Sequence, residues 1–163
     1  MLIQLKNKDT LHFDDLLFRS DIGKKGIRKK KKEGDYSTPK GIFSIKYLYY
    51  RSDRLIKPET KIIVKKLKKN MGWCNDPKSK KYNSLVRINE KIRHEKMYRR
   101  DHKYDIVIII DYNLKQPIPY KGSAIFIHLT KNYKPTAGCI ALKQKDLLIL
   151  LKIINKKTKI KIN

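Results

Sequence analysis

Alternation of apolar and polar residues runs through most of the chain and predicts a series of short β-strands. Residues 11–19 are predicted as a single strand, with Asp14 and Asp15 marking a bend. The β-branched run at 104–112 is continuous, which is typical of a strand buried on both faces. The other predicted strands and short apolar segments are 1–6, 42–50, 62–64, 82–88, 123–130, 139–142 and 158–163.

Helical patterns are much rarer than strand patterns. Residues 144–156 predict the principal helix, because Asp146 lies in its first turn and lysines lie in its last. Residues 89–101 predict one or two further helical turns that contain His94 and Glu95. The chain is therefore expected to be one β-rich domain over residues 1–163, mainly β with one principal helix.

The remaining segments are predicted as loops. Residues 21–33 are polar and carry the basic run 28–32, for which a solvated loop or an edge strand is the favoured interpretation. Residues 34–41 form a turn between glycine and proline residues. The loop at 72–77 contains the single tryptophan, Trp73, which serves either as the anchor of a lid or as a core residue.

Charge is the most unusual feature of the composition. Forty-one Lys and Arg residues against 15 Asp and Glu give a net charge of +26. Such a charge suggests nucleic acid or an anionic surface as a partner. However, the basic residues are mostly lysine and are scattered, and the excess of Lys, Ile, Asn and Tyr is typical of A+T-rich coding sequence. A basic binding module without catalysis is therefore kept as the alternative, and nucleic acid is not the expected partner.

Cysteine usage and the N-terminus limit the remaining classes. Cys74 and Cys139 form no CxxC or Cys/His cluster, so neither a metal nor another cofactor is expected. No apolar stretch approaches the 18 residues of a membrane span. The N-terminus lacks the features of a signal peptide, which predicts a cytoplasmic protein, or a periplasmic one if a leader had been removed.

The strongest candidate chemistry lies between residues 123 and 142. His128 and Cys139 are eleven positions apart, each at the end of an apolar run, so they are expected to meet across neighbouring strands. A thiol becomes a nucleophile once a base takes its proton. Gly138 before the cysteine allows a tight turn that presents N–H groups to an oxyanion. The pattern indicates cysteine acyl transfer, although a buried structural Cys and His remain the simpler alternative.

The segment from Pro135 to Leu142, PTAGCIAL, together with His128, resembles the catalytic signature of the L,D-transpeptidases, also called the YkuD domain. The resemblance extends to EGD at 33–35 and TPKGIF at 38–43. It also includes GWCND at 72–76, Tyr82-Asn83, Arg99 and Asp101, and Tyr104-Asp105. These motifs are similar to the compact branch of the family, which is little more than the catalytic domain.

The resemblance implies a β-sandwich or barrel and a cysteine enzyme acting on peptidoglycan stem tetrapeptides or muropeptides. Cys139 would be the nucleophile and His128 the base, with Thr136 and Gly138 in the catalytic turn. The bond between the diamino acid and D-Ala would be cleaved through a thioester. Water would give L,D-carboxypeptidase activity, and an amine would give a 3→3 cross-link. The residues expected to bind substrate are Asp35, Trp73, Asp76, Tyr82 and Arg99.

Two positions depart from the common family pattern. Many members have a His before the Gly-Cys pair and an Arg two positions after the cysteine, where this chain has Ala137 and Ala141. A different basic residue is then needed to hold the substrate carboxylate, and Arg99 is the candidate. The apparent lack of a leader favours hydrolysis of recycled tetrapeptides over cross-linking.

Overall fold

The computed structural model describes residues 1–6, 9–29, 32–88 and 91–163. Lys30 and Lys31 of the predicted basic run, and Asn89 and Glu90 of the predicted helical turn, lie outside the described residues. The described part of the chain contains one helix, α1 (Gln144–Ile153). Its strands are β1 (Leu2–Leu5), β2 (Thr10–Phe13), β3 (Leu16–Asp21), β4 (Ile27–Arg28), β5 (Thr38–Pro39), β6 (Gly41–Tyr50), β7 (Ile63–Lys66), β8 (Met71–Cys74), β9 (Leu85–Arg87), β10 (His94–Lys96), β11 (Ile106–Ile110), β12 (Phe126–Leu129), β13 (Ile140–Leu142) and β14 (Lys159–Ile162).

The main sheet closes on itself. Its order is β11-β12-β13-β3-β2-β1-β14-β6-β7, and β6 also pairs with β11. The ten-residue β6 makes this closure possible, because its first part pairs with β14 and its second part pairs with β11. A β-rich, barrel-like fold with one principal helix is thus confirmed.

The interior of the closed sheet is apolar. Every residue of β11 is buried, as the β-branched run predicts. Ile106, Ile108 and Ile110 face the main core, while Val107 and Ile109 face a second core cluster on the other side of the strand. The helix α1 adds Leu147, Leu150 and Leu151 to the main core, at the spacing that places residues on one helix face.

A small antiparallel sheet, β10-β8-β9, covers the second core cluster. Trp73 of β8 is 1% exposed and packs edge-on against Phe126 of β12, with ring centroids 5.0 Å apart. This aromatic contact attaches the small sheet to the strand that carries His128. Of the two interpretations of Trp73, the structure supports the core residue.

Three predicted elements are corrected by the structure. Residues 11–19 form no single strand, because the chain turns at Asp14 (φ +47°) and β2 pairs antiparallel with β3. The predicted loop at 72–77 begins as strand β8. The predicted helical turns at 89–101 contain strand β10 instead, since residues 94–96 pair with β8. The first correction is a tight hairpin turn, and in the other two cases pairing within the small sheet overrides the local sequence pattern.

No helix in the described residues is long and apolar enough to cross a membrane.

Candidate active site

A cavity of about 290 Å³ opens where β12 and β13 lie side by side. The two strands are parallel, with Ile127 opposite Ile140 and His128 opposite Ala141. Cys139 directly precedes β13, and His128 lies within β12. Both side chains line the cavity, so the structure brings Cys139 and His128 to one site, and a direct contact between them stays a prediction.

The thiol of Cys139 contacts two backbone groups of the segment before and within β12. Its Sγ donates to the carbonyl oxygen of Ala124 at 3.1 Å and accepts from the N–H of Phe126 at 3.4 Å. The residue is only 8% exposed. The sulfur therefore occupies one defined position at the wall of the cavity.

His128 is held in the tautomer that suits a base. Its Nδ1 lies 2.9 Å from the carbonyl oxygen of Leu129, which only accepts hydrogen bonds, so Nδ1 carries the proton of the neutral ring. Nε2 is left with the lone pair. Burial lowers the pKa of His128 to about 4, against the opposing effect of that hydrogen bond. The imidazole is thus neutral near pH 7 and able to accept a proton.

The turn before Cys139 is fixed by Thr136. The Thr136 hydroxyl donates to the carbonyl oxygen of Cys139 at 2.6 Å and accepts from the N–H of Gly138 at 3.1 Å. Gly138 has a φ of +146°, and a Cβ there would lie 2.9 Å from the carbonyl oxygen of Ser37. Only glycine fits this position. Because the Gly138 N–H is already bonded to Thr136, its predicted role as an oxyanion donor stays a prediction.

The TPKG motif supports this turn from the opposite side. Thr38 is fully buried, and its hydroxyl donates to the carbonyl oxygen of Gly138 at 2.9 Å while accepting from the N–H of Gly23 at 2.8 Å. Thr136 also pairs with Ile22 and Lys24 through backbone hydrogen bonds. Sequence reasoning recognised the motif but missed this contact, which joins residues 100 positions apart.

Arg99 lines the cavity with a restrained guanidinium group. Its Nε and Nη2 each donate to the Asp101 carboxylate at 2.8 Å, and this pairing lowers the pKa of Asp101 to about 2. Lys103, Lys131 and Lys134 line the same cavity. The positive charge that an incoming carboxylate needs is therefore present, although no arginine follows the cysteine.

Two further cavity residues were not identified from the sequence as site residues. The hydroxyl of Tyr104 donates to Glu95 at 2.5 Å, and the Tyr104 ring lies edge-on to His128 with centroids 5.1 Å apart. Burial raises the pKa of Glu95 despite the opposing effects of Tyr104 and Arg99. The only local signal was Glu95 beside a histidine, in a segment that the periodicity assigned to a helix.

The other predicted substrate-binding residues do not line the cavity. Trp73 and Tyr82 are buried, and the Tyr82 hydroxyl donates to Glu33 at 2.5 Å. Asp35 accepts from the backbone N–H and the hydroxyl of Ser37, and Asp76 accepts from the N–H of Lys78. The two aspartates thus stabilise turns, and direct contact of these four residues with substrate stays a prediction.

Cys74 and Cys139 are not joined by a disulfide bond. Within the described ranges, no group of three or more His, Cys, Asp or Glu residues is arranged to hold a metal ion.

The fold and the cavity together define a β-rich domain in which a cysteine and a neutral histidine share one site. The chain belongs to the YkuD family, because the family model described as the L,D-transpeptidase catalytic domain matches residues 8–162. No curated protein and no solved structure matches the chain. The resemblance noted in the sequence is confirmed, and with it L,D-transpeptidase-type activity on peptidoglycan as the general class.

Proposed function

We propose that this protein is a cysteine acyl-transfer enzyme that cleaves the bond between the diamino acid and D-Ala in peptidoglycan stem tetrapeptides. One observation carries the proposal. Cys139 and His128 line the same cavity, and the Leu129 carbonyl holds the histidine in the tautomer whose Nε2 accepts a proton. This is the combination that activates a thiol for attack on an acyl carbon.

The reaction follows from these positions. His128 Nε2 takes the proton of the Cys139 thiol, and the sulfur attacks the carbonyl carbon of the diamino acid. The resulting oxyanion accepts from backbone N–H groups of the turn at Gly138 and Cys139, for which Gly138 exchanges its bond to Thr136. The imidazolium then gives its proton to the amine of D-Ala, which leaves, and a thioester remains on Cys139.

The second half of the reaction decides the product. Water attacking the thioester gives a tripeptide, and the amine of a second stem gives a cross-link. We propose hydrolysis as the preferred outcome, because water needs no binding site of its own. Transfer to an amine remains the alternative, since both outcomes use the same thioester.

We propose that Arg99 binds the substrate carboxylate. Its guanidinium lines the cavity with one-third of the side chain exposed, and its bidentate pairing with Asp101 fixes its direction. A pre-oriented guanidinium suits a planar carboxylate better than a mobile lysine does. Arg99 would then replace the arginine that many family members carry after the cysteine.

The decisive experiment uses purified protein and a disaccharide tetrapeptide, with and without an acceptor stem. Tripeptide alone indicates hydrolysis, and a dimer indicates transfer. Intact-mass measurement should show a covalent adduct with the tetrapeptide or a carbapenem on the wild-type protein and none on Cys139→Ala, whose melting temperature should stay close to that of the wild type. An unmodified wild-type protein, together with an active Cys139→Ala variant, would contradict the proposal.

A further inference from the structure

Ala124 adopts an unusual backbone conformation beside the nucleophile. Its φ is +53°, in the left-handed region that a residue with a Cβ rarely occupies. It is 9% exposed, and its carbonyl oxygen is the group that accepts from the Cys139 thiol. Such a conformation persists only where surrounding contacts impose it, so the contacts of Ala124 determine where the thiol points.

The contact that holds Ala124 is the side chain of Asn83. Asn83 is 2% exposed, and its Oδ1 accepts from the Ala124 N–H at 3.0 Å and from the Trp73 indole N–H at 2.9 Å. Its Nδ2 donates to the carbonyl oxygens of Tyr112 and Asn113. All four hydrogen-bonding positions of the amide are therefore used, which leaves it one orientation.

Tyr82, the residue before Asn83, holds the same segment at Gly122, two positions before Ala124. The Tyr82 hydroxyl accepts from the N–H of Gly122 at 2.9 Å while donating to Glu33. Tyr82 and Asn83 together therefore fix residues 122–124, the segment that leads into β12. This gives the Tyr82-Asn83 pair of the sequence a structural purpose outside the cavity.

We propose that Asn83 is a positioning residue for the nucleophile: it holds Ala124 in the left-handed conformation, so that the Ala124 carbonyl orients the Cys139 thiol. The proposal rests on the proposed function in that Cys139 is the reacting group. The two backbone contacts of the sulfur then favour different states. The Ala124 carbonyl stabilises the protonated thiol, and the Phe126 N–H stabilises the negative sulfur once His128 has taken the proton.

The test compares variants chosen for their backbone geometry. Asn83→Gly removes the amide, and glycine tolerates the φ of +56° found at this position. Asn113→Gly is the matched control: Asn113 also has a positive φ, and its amide bonds Ile118 and Gly122 rather than Ala124. The double variant Asn83→Gly with Ala124→Gly allows position 124 to adopt its left-handed conformation without the amide.

We expect Asn83→Gly to lower kcat by about tenfold to hundredfold on the tetrapeptide, with KM within about threefold, because Asn83 orients the thiol and does not line the cavity. The double variant should recover most of this loss, since glycine reaches a φ of +53° without steric cost. Asn113→Gly should stay within about threefold of the wild type. In Asn83→Gly the pH profile of alkylation by iodoacetamide should move to lower pH, by roughly half a unit to one unit, because the carbonyl that favours the protonated thiol is lost.

The proposal is overturned if Asn83→Gly and Asn113→Gly lose activity equally, if the double variant is no better than Asn83→Gly, or if the alkylation profiles coincide. Should Asn83→Gly not fold, Asn83→Ser replaces it, because the shorter serine side chain carries no amide to hold Ala124. A profile moved to lower pH in this variant would support the proposal, and a profile that coincides with that of the wild type would contradict it. If the wild type cleaves no stem peptide, the proposed function fails, and the alkylation profiles alone decide the role of Asn83.

Discussion

At the scale of single residues, the neutral state of His128 is the property that most directly decides the chemistry. Desolvation places its pKa at about 4, so the ring is uncharged over the whole range in which a solvated histidine titrates. The nearby Lys103 and Arg99 lower the pKa further. The low pKa keeps the ring neutral near pH 7, and it also makes the ring a weaker proton acceptor than a solvated histidine.

This burial predicts a pH-dependent stability. The unfolded chain binds a proton on His128 near pH 6.5 and the folded protein only near pH 4, so the free energy of unfolding falls as the pH drops between these values. The full effect is about 3 kcal/mol by the usual conversion of pKa shifts. The free energy of unfolding of the wild type and of His128→Gln should be measured in urea at pH 4, 5, 6 and 7.5. The wild-type value minus the His128→Gln value should fall as the pH drops. A difference that is constant with pH would contradict a buried neutral histidine.

Arg99 is predicted to act on binding. Arg99→Gln should raise KM for a tetrapeptide with a free terminal carboxylate by about tenfold or more, as expected for a lost charge-assisted hydrogen bond, and should change kcat little. A peptide with a terminal amide should show no such effect. Arg100→Gln is the matched control, because Arg100 is the exposed neighbour and does not line this cavity. Equal losses on both peptides would show that Arg99 does not bind the substrate carboxylate.

The sequence predicted roles for Cys139 and His128 because a thiol and an imidazole carry their chemistry in their own side chains, and it proposed Arg99 through the family resemblance. Asn83 and Thr38 were part of that resemblance without a role, and Glu95 was not singled out as a site residue. The contacts of these three residues join groups that are distant in the chain, which no local pattern shows.

At the scale of elements, the catalytic turn is a junction of three segments. The buried hydroxyl group of Thr38, in β5, joins the three segments: it accepts from the Gly23 N–H and donates to the Gly138 carbonyl oxygen. Because the turn before β13 supplies the cysteine and β5 supplies the threonine, a change in one segment displaces the other. The T-P-x-G motif therefore serves the nucleophile and does more than begin strand β6.

Thr38→Val tests this junction. Valine keeps the shape but leaves a buried N–H of Gly23 and a buried carbonyl of Gly138 unpaired, which should cost roughly 1–3 kcal/mol each. We expect a lower melting temperature and about a tenfold lower kcat from the displaced turn. Thr10→Val is the control, since that hydroxyl is exposed and bonded only to the neighbouring Asp9. Unchanged kinetics in a destabilised Thr38→Val protein would show that the junction supports the fold alone.

At the scale of the whole molecule, part of the positive charge is structural. Arg51 and Arg54 donate to the carbonyl oxygens of residues 99, 100 and 101, and they pair with Asp53 and Asp105. These guanidinium groups stabilise the segment that presents Arg99. The remaining lysines create a field that attracts anionic polymers at low ionic strength.

That field predicts different salt responses for small and polymeric ligands. Between 50 and 200 mM salt, kcat/KM for a soluble tetrapeptide should change by less than about threefold, because the cavity contacts are short and partly buried. Binding of Cys139→Ala to a DNA duplex, measured by fluorescence anisotropy, should weaken steeply over the same range. Tight DNA binding that persists at physiological salt would favour the basic binding module if the wild-type protein also forms no acyl adduct.

The sequence alone determined the elements whose signals are local: the fully buried β11, the helix α1, the apolar run that contains His128, and the Gly-Cys turn that opens the next apolar run. Periodicity and residue chemistry are properties of short segments, so they can be recognised without the tertiary structure. Tertiary structure decided the closure of the sheet through β6, the strands β8 and β10, and the contacts of Asn83 and Thr38. Each of these depends on pairing between distant segments, and the energy of such pairing resides in contacts that no short stretch of sequence contains.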